Sequence, residues 1–132
     1  MSDFATSEKR QFVRVPVDVE VKYRFIQPRS TGAPTEETTY SGKTGNIGAG
    51  GLLLVADLPE ADLIADLLMG KIIVGLELYL PDHAPIQALS RVAWLESVDE
   101  EKGTCAIGLS FKEITAADQD KLFRFVITSR MG

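Results

Sequence analysis

Between Phe12 and Arg24 the chain reads FVRVPVDVEVKYR, with Val13, Val15, Val17, Val19, Val21 and Tyr23 at every second position. Side chains alternate sides along an extended chain, so this spacing predicts a strand with one buried face. Arg14, Asp18, Glu20, Lys22 and Arg24 then face water. Pro16 has no N–H to give to a ladder and predicts a sheet edge or a bend at that point. The next stretch, QPRSTGAPTEETT, is rich in turn formers and predicts an exposed loop, the interior segment best suited to disorder. A second strand is expected over Tyr40 to Ile47, then a glycine-rich loop, then a third strand opening with GLLLV. From Pro59 to Met69 the spacing changes: Leu63, Ile64, Leu67 and Leu68 fit a short amphipathic helix, with Gly70 placed to stop it. Strand alternation resumes in KIIVGLELYLP, APIQALSRVAWLESV and GTCAIGLSFKEI, the last two joined by the charged turn VDEEKG. Thr115 and Asp118 then mark a helix start, followed by Leu122, Phe123, Phe125, Val126 and Ile127. These elements predict a mainly β fold, a six-stranded antiparallel β-barrel with a short internal helix and a C-terminal helix.

Composition narrows the function. The chain has 132 residues, 45% of them hydrophobic and 25% charged, which suits one domain with a real core. No apolar run approaches the roughly 20 residues that span a bilayer, and MSDFATSEKR lacks the apolar segment of a signal peptide, so a cytoplasmic protein without membrane insertion is expected. One cysteine, Cys105, and one histidine, His83, leave no internal disulfide, no Cys-rich metal site and no His-based triad. A net charge of −5 argues against DNA, RNA or an anionic membrane as partner. Any anion must therefore be held by a local cluster.

Two segments supply such clusters. KRQFVR places Arg10 and Arg14 four apart, so that in extended chain both guanidinium groups leave on one side. Their planar forks suit phosphates and guanine edges, although two arginines at this spacing can equally be solvated charges. TGNIGAGGLLL carries Gly45, Gly48, Gly50 and Gly51. Gly48, Gly50 and Gly51 permit positive φ and close backbone approach, and Asn46 adds one acceptor and two donors, so the loop could form an anion nest or serve as a plain hairpin turn. It lacks the GK[ST] of a phosphate loop and the spacing of a dinucleotide fingerprint.

An Arg-x-x-x-Arg at the first strand, followed about thirty residues later by Asp/Asn-x-Ser-x-x-Gly between the second and third, resembles the signature of the PilZ domain family. Arg10 and Arg14 match the first motif; Asn46 and Gly51 match the second, which departs at Gly48, where the family usually has serine. RVAWLE and AIGLSFKEIT are similar to the family's later strands. The resemblance implies a barrel domain over residues 10–132 behind a flexible segment, residues 1–9. It also implies a receptor for the bacterial second messenger cyclic di-GMP, bound as a stacked pair of molecules. Arg10 and Arg14 would clamp phosphates and guanine edges, Asn46 would hold a second guanine, and Gly48 and Gly51 would let the ligand approach the backbone. No catalytic residue, metal or cofactor is implied. The signal would pass through the N-terminal segment or through a protein partner in pilus, flagellar or polysaccharide machinery. The alternative is a degenerate PilZ-like interaction domain that binds no nucleotide, motivated by the missing Gly48 hydroxyl.

The remaining candidates have plainer readings. Trp94 is expected to pack the barrel in preference to stacking on a base, Arg91 to be an exposed strand arginine, and Cys105 to be a core thiol.

Overall fold

A computed structural model describes residues 14–27 and 38–131. Arg10, the segment 1–9 and most of the expected loop after the first strand lie outside the described residues. Among the described residues there are seven strands and two helices: β1 (Arg14–Val15), β2 (Glu20–Ile26), β3 (Tyr40–Gly48), β4 (Gly51–Asp57), α1 (Ala61–Leu68), β5 (Ile73–Leu78), β6 (Ile86–Asp99), β7 (Thr104–Ile114) and α2 (Ala116–Met131).

The expected first strand exists, in two pieces. Pro16 interrupts it, and β1 and β2 pair with opposite ends of β3: Arg14 with Gly48 and Val15 with Ile47, then Val21 with Gly42 and Tyr23 with Tyr40. Pro16 therefore marks a bend. Pairing continues β3-β2-β5-β6-β7-β4, and β3 with β4 closes the ring. The result is the six-stranded antiparallel barrel, and closure leaves its six strands without a free edge. Val15, Val19, Val21 and Tyr23 are buried, and Arg14, Asp18, Glu20, Lys22 and Arg24 are exposed, as their alternation requires. Leu52 and Leu54 of β4, Ile107 and Leu109 of β7, and Leu76 and Leu78 of β5 fill the interior with them. Each such side chain contributes about 1.5–3 kcal/mol on burial.

The helices start and stop for local reasons. Gly70, at φ 78°, ends α1: its N–H donates to Leu67 O and that of Lys71 to Asp66 O, which satisfies carbonyls the helix leaves open. At the start of α2 the Asp118 N–H donates to Thr115 Oγ1 at 3.1 Å, the cap expected from sequence. α2 packs on β1 and β3 and sends Leu122 and Val126 into the core, while Phe123 and Ile127 stay exposed. No helix among the described residues is long and apolar enough to cross a membrane.

Tyr23 gives the barrel a pH dependence. Burial, then Asp57, Cys105 and Tyr40, push its phenol from 10.0 up to about 12. The folded state thus prefers the neutral form. That contribution is complete below the unfolded value and is lost as pH rises from about 10 through about 12, because the unfolded chain ionises first. The unfolding free energy read from denaturant titrations should fall across this window, by on the order of 2 kcal/mol attributable to Tyr23. Tyr23→Phe should flatten the fall, and an unchanged slope in that variant would show that another group governs it.

Candidate functional site

The two motif segments, far apart in sequence, meet at the bend. Arg14 Nη1 donates a hydrogen bond to Asn46 Oδ1 at 3.1 Å across 32 residues. Both side chains face outward, and they reach that face by different means. Arg14 follows the alternation of the first strand. Asn46 does not follow that of β3, where Thr44 points into the core and strict alternation would send residue 46 inward as well. The register with β4 shifts between Thr44 and Asn46: Thr44 pairs with Leu54, but Asn46 pairs with Leu53. Gly45 is the extra residue of a β-bulge, and inserting it turns Asn46 outward while Ile47 returns to the core.

The glycine stretch is mostly strand. β3 runs through Gly48 and β4 begins at Gly51, so only Ala49 and Gly50 form the turn. Left-handed φ occurs at Gly70, Gly103 and Asp82 among the described residues, and at none of Gly45, Gly48, Gly50 or Gly51. The loop's freedom in φ, allowed by its composition, is thus not used. What holds it is β7: Phe111 N–H donates to Gly50 O at 2.9 Å, and Gly51 lies so close to β7 that a Cβ there would overlap the Leu109 carbonyl oxygen. Gly51 has a packing requirement of its own. Gly48 stands opposite Arg14 in the β1–β3 register and places no side chain beside it.

Arg14, Ala49 and Gly50 form one wall of a cleft of about 1110 Å³, whose other walls include Arg24, Gln87 and Lys112. The acidic Glu77 also lines it, but its Oε1 accepts the Tyr79 hydroxyl at 2.5 Å, and this bond is the main reason the Tyr79 phenol titrates above its ordinary value. The lining of the cleft thus carries three cationic side chains, Arg14, Arg24 and Lys112, against two acidic ones, Glu77 and Glu113, on a chain whose net charge is −5.

Trp94 departs from the expectation of barrel packing. It is 44% exposed, on the outer face of the barrel. The cause is a second bulge: Val92 pairs with Leu109 and points in, Ala93 is the extra residue, and Trp94 pairs with Gly108 and points out. Its indole lies across Gly108, where a Cβ would run into Nε1, Cε2 and Cδ1. Gly108 pairs in turn with Leu53, and Leu53 with Asn46. Asn46, Leu53, Gly108 and Trp94 thus make one outward row over β3, β4, β7 and β6, about 14 Å from end to end at ordinary strand spacing. Sequence alternation missed this row because both of its polar or aromatic ends follow bulges.

Arg91 is exposed on β6 and runs beside Gly70 at the C-terminal end of α1, where a cation suits the helix dipole. Cys105 is buried, its Sγ 3.7 Å from Asp57 O, and burial raises its thiol pKa, which leaves it a poor nucleophile. Among the described residues no group of three or more His, Cys, Asp or Glu is placed to hold a metal ion.

Comparison with known proteins agrees with the geometry. The PilZ domain family profile matches residues 8–128. A sequence comparison with curated proteins gives no match. Among solved structures, the chain is similar to the Bacillus subtilis inhibitor of motility MotI/DgrA, with a TM-score of 0.66 and 21% identity over 92% of this chain and 51% of that one. It is similar to K. pneumonia MrkH in complex with c-di-GMP, at 0.64 and 17%, covering 92% of this chain and 52% of that one. It is also similar to the PilZ domain of Escherichia coli YcgR with c-di-GMP, at 0.62 and 10%, covering 93% and 92%. The chain spans about half the length of MotI and MrkH and nearly all of the YcgR domain. With a family profile covering almost its whole length and a closed barrel of matching fold, the chain belongs to the PilZ domain family.

Proposed function

We propose that this chain is a receptor for cyclic di-GMP with no catalytic activity of its own. The observation that carries the reading is the Arg14–Asn46 hydrogen bond, which joins the two motif segments, with Arg14 also lining the cleft of about 1110 Å³. Arg14 donates to phosphate oxygens or to a guanine Hoogsteen edge, for which its planar fork is suited. Asn46 keeps its amide donors and one oxygen lone pair for a guanine. Arg10, four residues before Arg14, supplies the second guanidinium. Trp94 at the far end of the row offers a half-exposed indole face on which a guanine can stack, with Leu53 as an apolar floor between. A row with Asn46 at one end and the Trp94 indole at the other suits a stacked pair of ligand molecules. Similarity to the c-di-GMP complexes of MrkH and the YcgR domain supports the ligand class.

Binding is passed on by a change of conformation or by altered contacts with a protein partner in pilus, flagellar or polysaccharide machinery. The exposed Phe123 and Ile127 of α2 favour a protein contact and keep alive the second reading, a PilZ barrel that binds a partner and no nucleotide. A pull-down whose partner is the same with and without cyclic di-GMP supports that second reading.

Gly48 provides a test of the site itself. Its φ is not left-handed, so a side chain there carries no strain of that kind, and a serine hydroxyl would add one donor opposite Arg14. By equilibrium dialysis with labelled cyclic di-GMP, Gly48→Ser should bind as tightly as wild type or up to about tenfold tighter. A clear loss of affinity would move the ligand away from this position.

A further inference from the structure

Thr44 is one of two buried polar side chains among the described residues, only 4% exposed, and all of its hydrogen bonds go to the segment broken by Pro16. Its Oγ1 accepts the Val19 N–H at 2.9 Å and donates to the Val17 carbonyl at 2.6 Å, while its own N–H donates to Val19 O at 3.0 Å. Residues 16–19 lie outside both β1 and β2, so the strand ladder does not hold them. The Thr44 hydroxyl takes over that task, acting as donor and acceptor where the ladder is missing.

The place of this clamp gives it a consequence at the site. Two residues upstream of Val17, Val15 and Arg14 make β1, a strand of only two residues. Two residues along β3 from Thr44 is Asn46, the partner of Arg14. The Gly45 bulge is what lets one strand do both things, turning Thr44 inward to the bend and Asn46 outward to Arg14. We infer that Thr44 is a positioning residue for nucleotide binding: it holds the Pro16 bend so that Arg14 is presented beside Asn46 before the ligand arrives. The inference rests on the receptor reading above, and it concerns a residue outside the two binding motifs.

Apparent affinity falls in proportion to the fraction of molecules in the competent arrangement. Without the hydroxyl, the Val19 N–H and Val17 carbonyl lose their partner and β1 detaches part of the time. Thr44→Val removes the hydroxyl at nearly constant shape; Thr44→Ser keeps it. Ser90→Ala is the control, because Ser90 is also buried and its hydroxyl donates to Val74 O at 2.9 Å, away from the bend. Amide exchange across residues 14–19 should accelerate at least about tenfold in Thr44→Val, and its apparent dissociation constant for cyclic di-GMP should rise about tenfold. Thr44→Ser should restore both, and Ser90→Ala should change neither. If residues 14–19 stay as protected in Thr44→Val as in wild type, the clamp is refuted whatever the ligand does. If wild type binds and Thr44→Val binds equally well, the positioning role alone fails. If wild type takes up no cyclic di-GMP, the receptor reading fails and the inference falls with it.

Discussion

Arg14→Ala should lower affinity for cyclic di-GMP roughly 30- to 150-fold while leaving the barrel folded. The expected loss corresponds to the removal of hydrogen bonds from a charged donor, about 2–3 kcal/mol in all. The stability of the free protein should change little. Arg14 is exposed, and its one described side-chain bond, to Asn46 at 3.1 Å, lies at the surface, where such bonds contribute modestly. The Val15–Ile47 pairing and the Thr44 clamp do not depend on the guanidinium and should hold β1 in register. The two consequences are separable in one pair of experiments. Thermal unfolding without ligand should give nearly coincident curves, and titration with cyclic di-GMP should give widely different ones. Equal binding by both proteins would remove Arg14 from the site; equal loss of folding and binding would make Arg14 a structural residue.

Gly51→Ala should destabilise the barrel strongly. The added Cβ meets backbone: the Leu109 carbonyl oxygen would overlap it, and the carbonyl carbon would lie only 3.1 Å away. A flexible side chain could swing aside, but Leu109 O is fixed within the ladder that joins β4 to β7 from Gly51–Ser110 through Asp57–Thr104. Relief requires the two strands to separate at this end, and the Phe111–Gly50 bond that anchors the turn goes with them. Overpacking against rigid neighbours costs at least about 3 kcal/mol here. The melting temperature should fall by about 10 °C or more. If Gly51→Ala melts within about 2 °C of wild type, β4 and β7 are not held as closely as the structure shows. A stability loss of this size also fixes how Gly51 should be understood: its place in the family motif has a packing reason that exists before any ligand does.

The barrel was legible in the sequence because its strands obey a period of two over most of their length. Val15, Val19, Val21 and Tyr23 face inward as their spacing required, and the caps of both helices lie where Gly70 and Thr115 marked them. The candidate site was legible only in part, for a physical reason. A bulge adds one residue and reverses every facing beyond it, so a pattern of alternation cannot say which way Asn46 or Trp94 points. Gly45 and Ala93 cause those reversals, and each lies next to a residue of the outward row. Thr44 was invisible for a related reason: nothing in the sequence distinguishes a threonine that packs from one whose hydroxyl closes a gap in a neighbouring strand 25 residues away. Gly51 was read as a position where a ligand could approach the backbone; what the structure places against it is the Leu109 carbonyl of β7.

The central claim is that Arg14 and Asn46 form a preset site for cyclic di-GMP. Calorimetric titration of the whole chain with cyclic di-GMP tests it most directly, since it reads affinity and stoichiometry together. The account expects saturable heat, a ratio of two nucleotides per chain if they bind as a stacked pair, and a matching rise in melting temperature. No heat and no thermal shift at ligand concentrations up to about 1 mM, the range of a binding free energy near −4 kcal/mol, would contradict it.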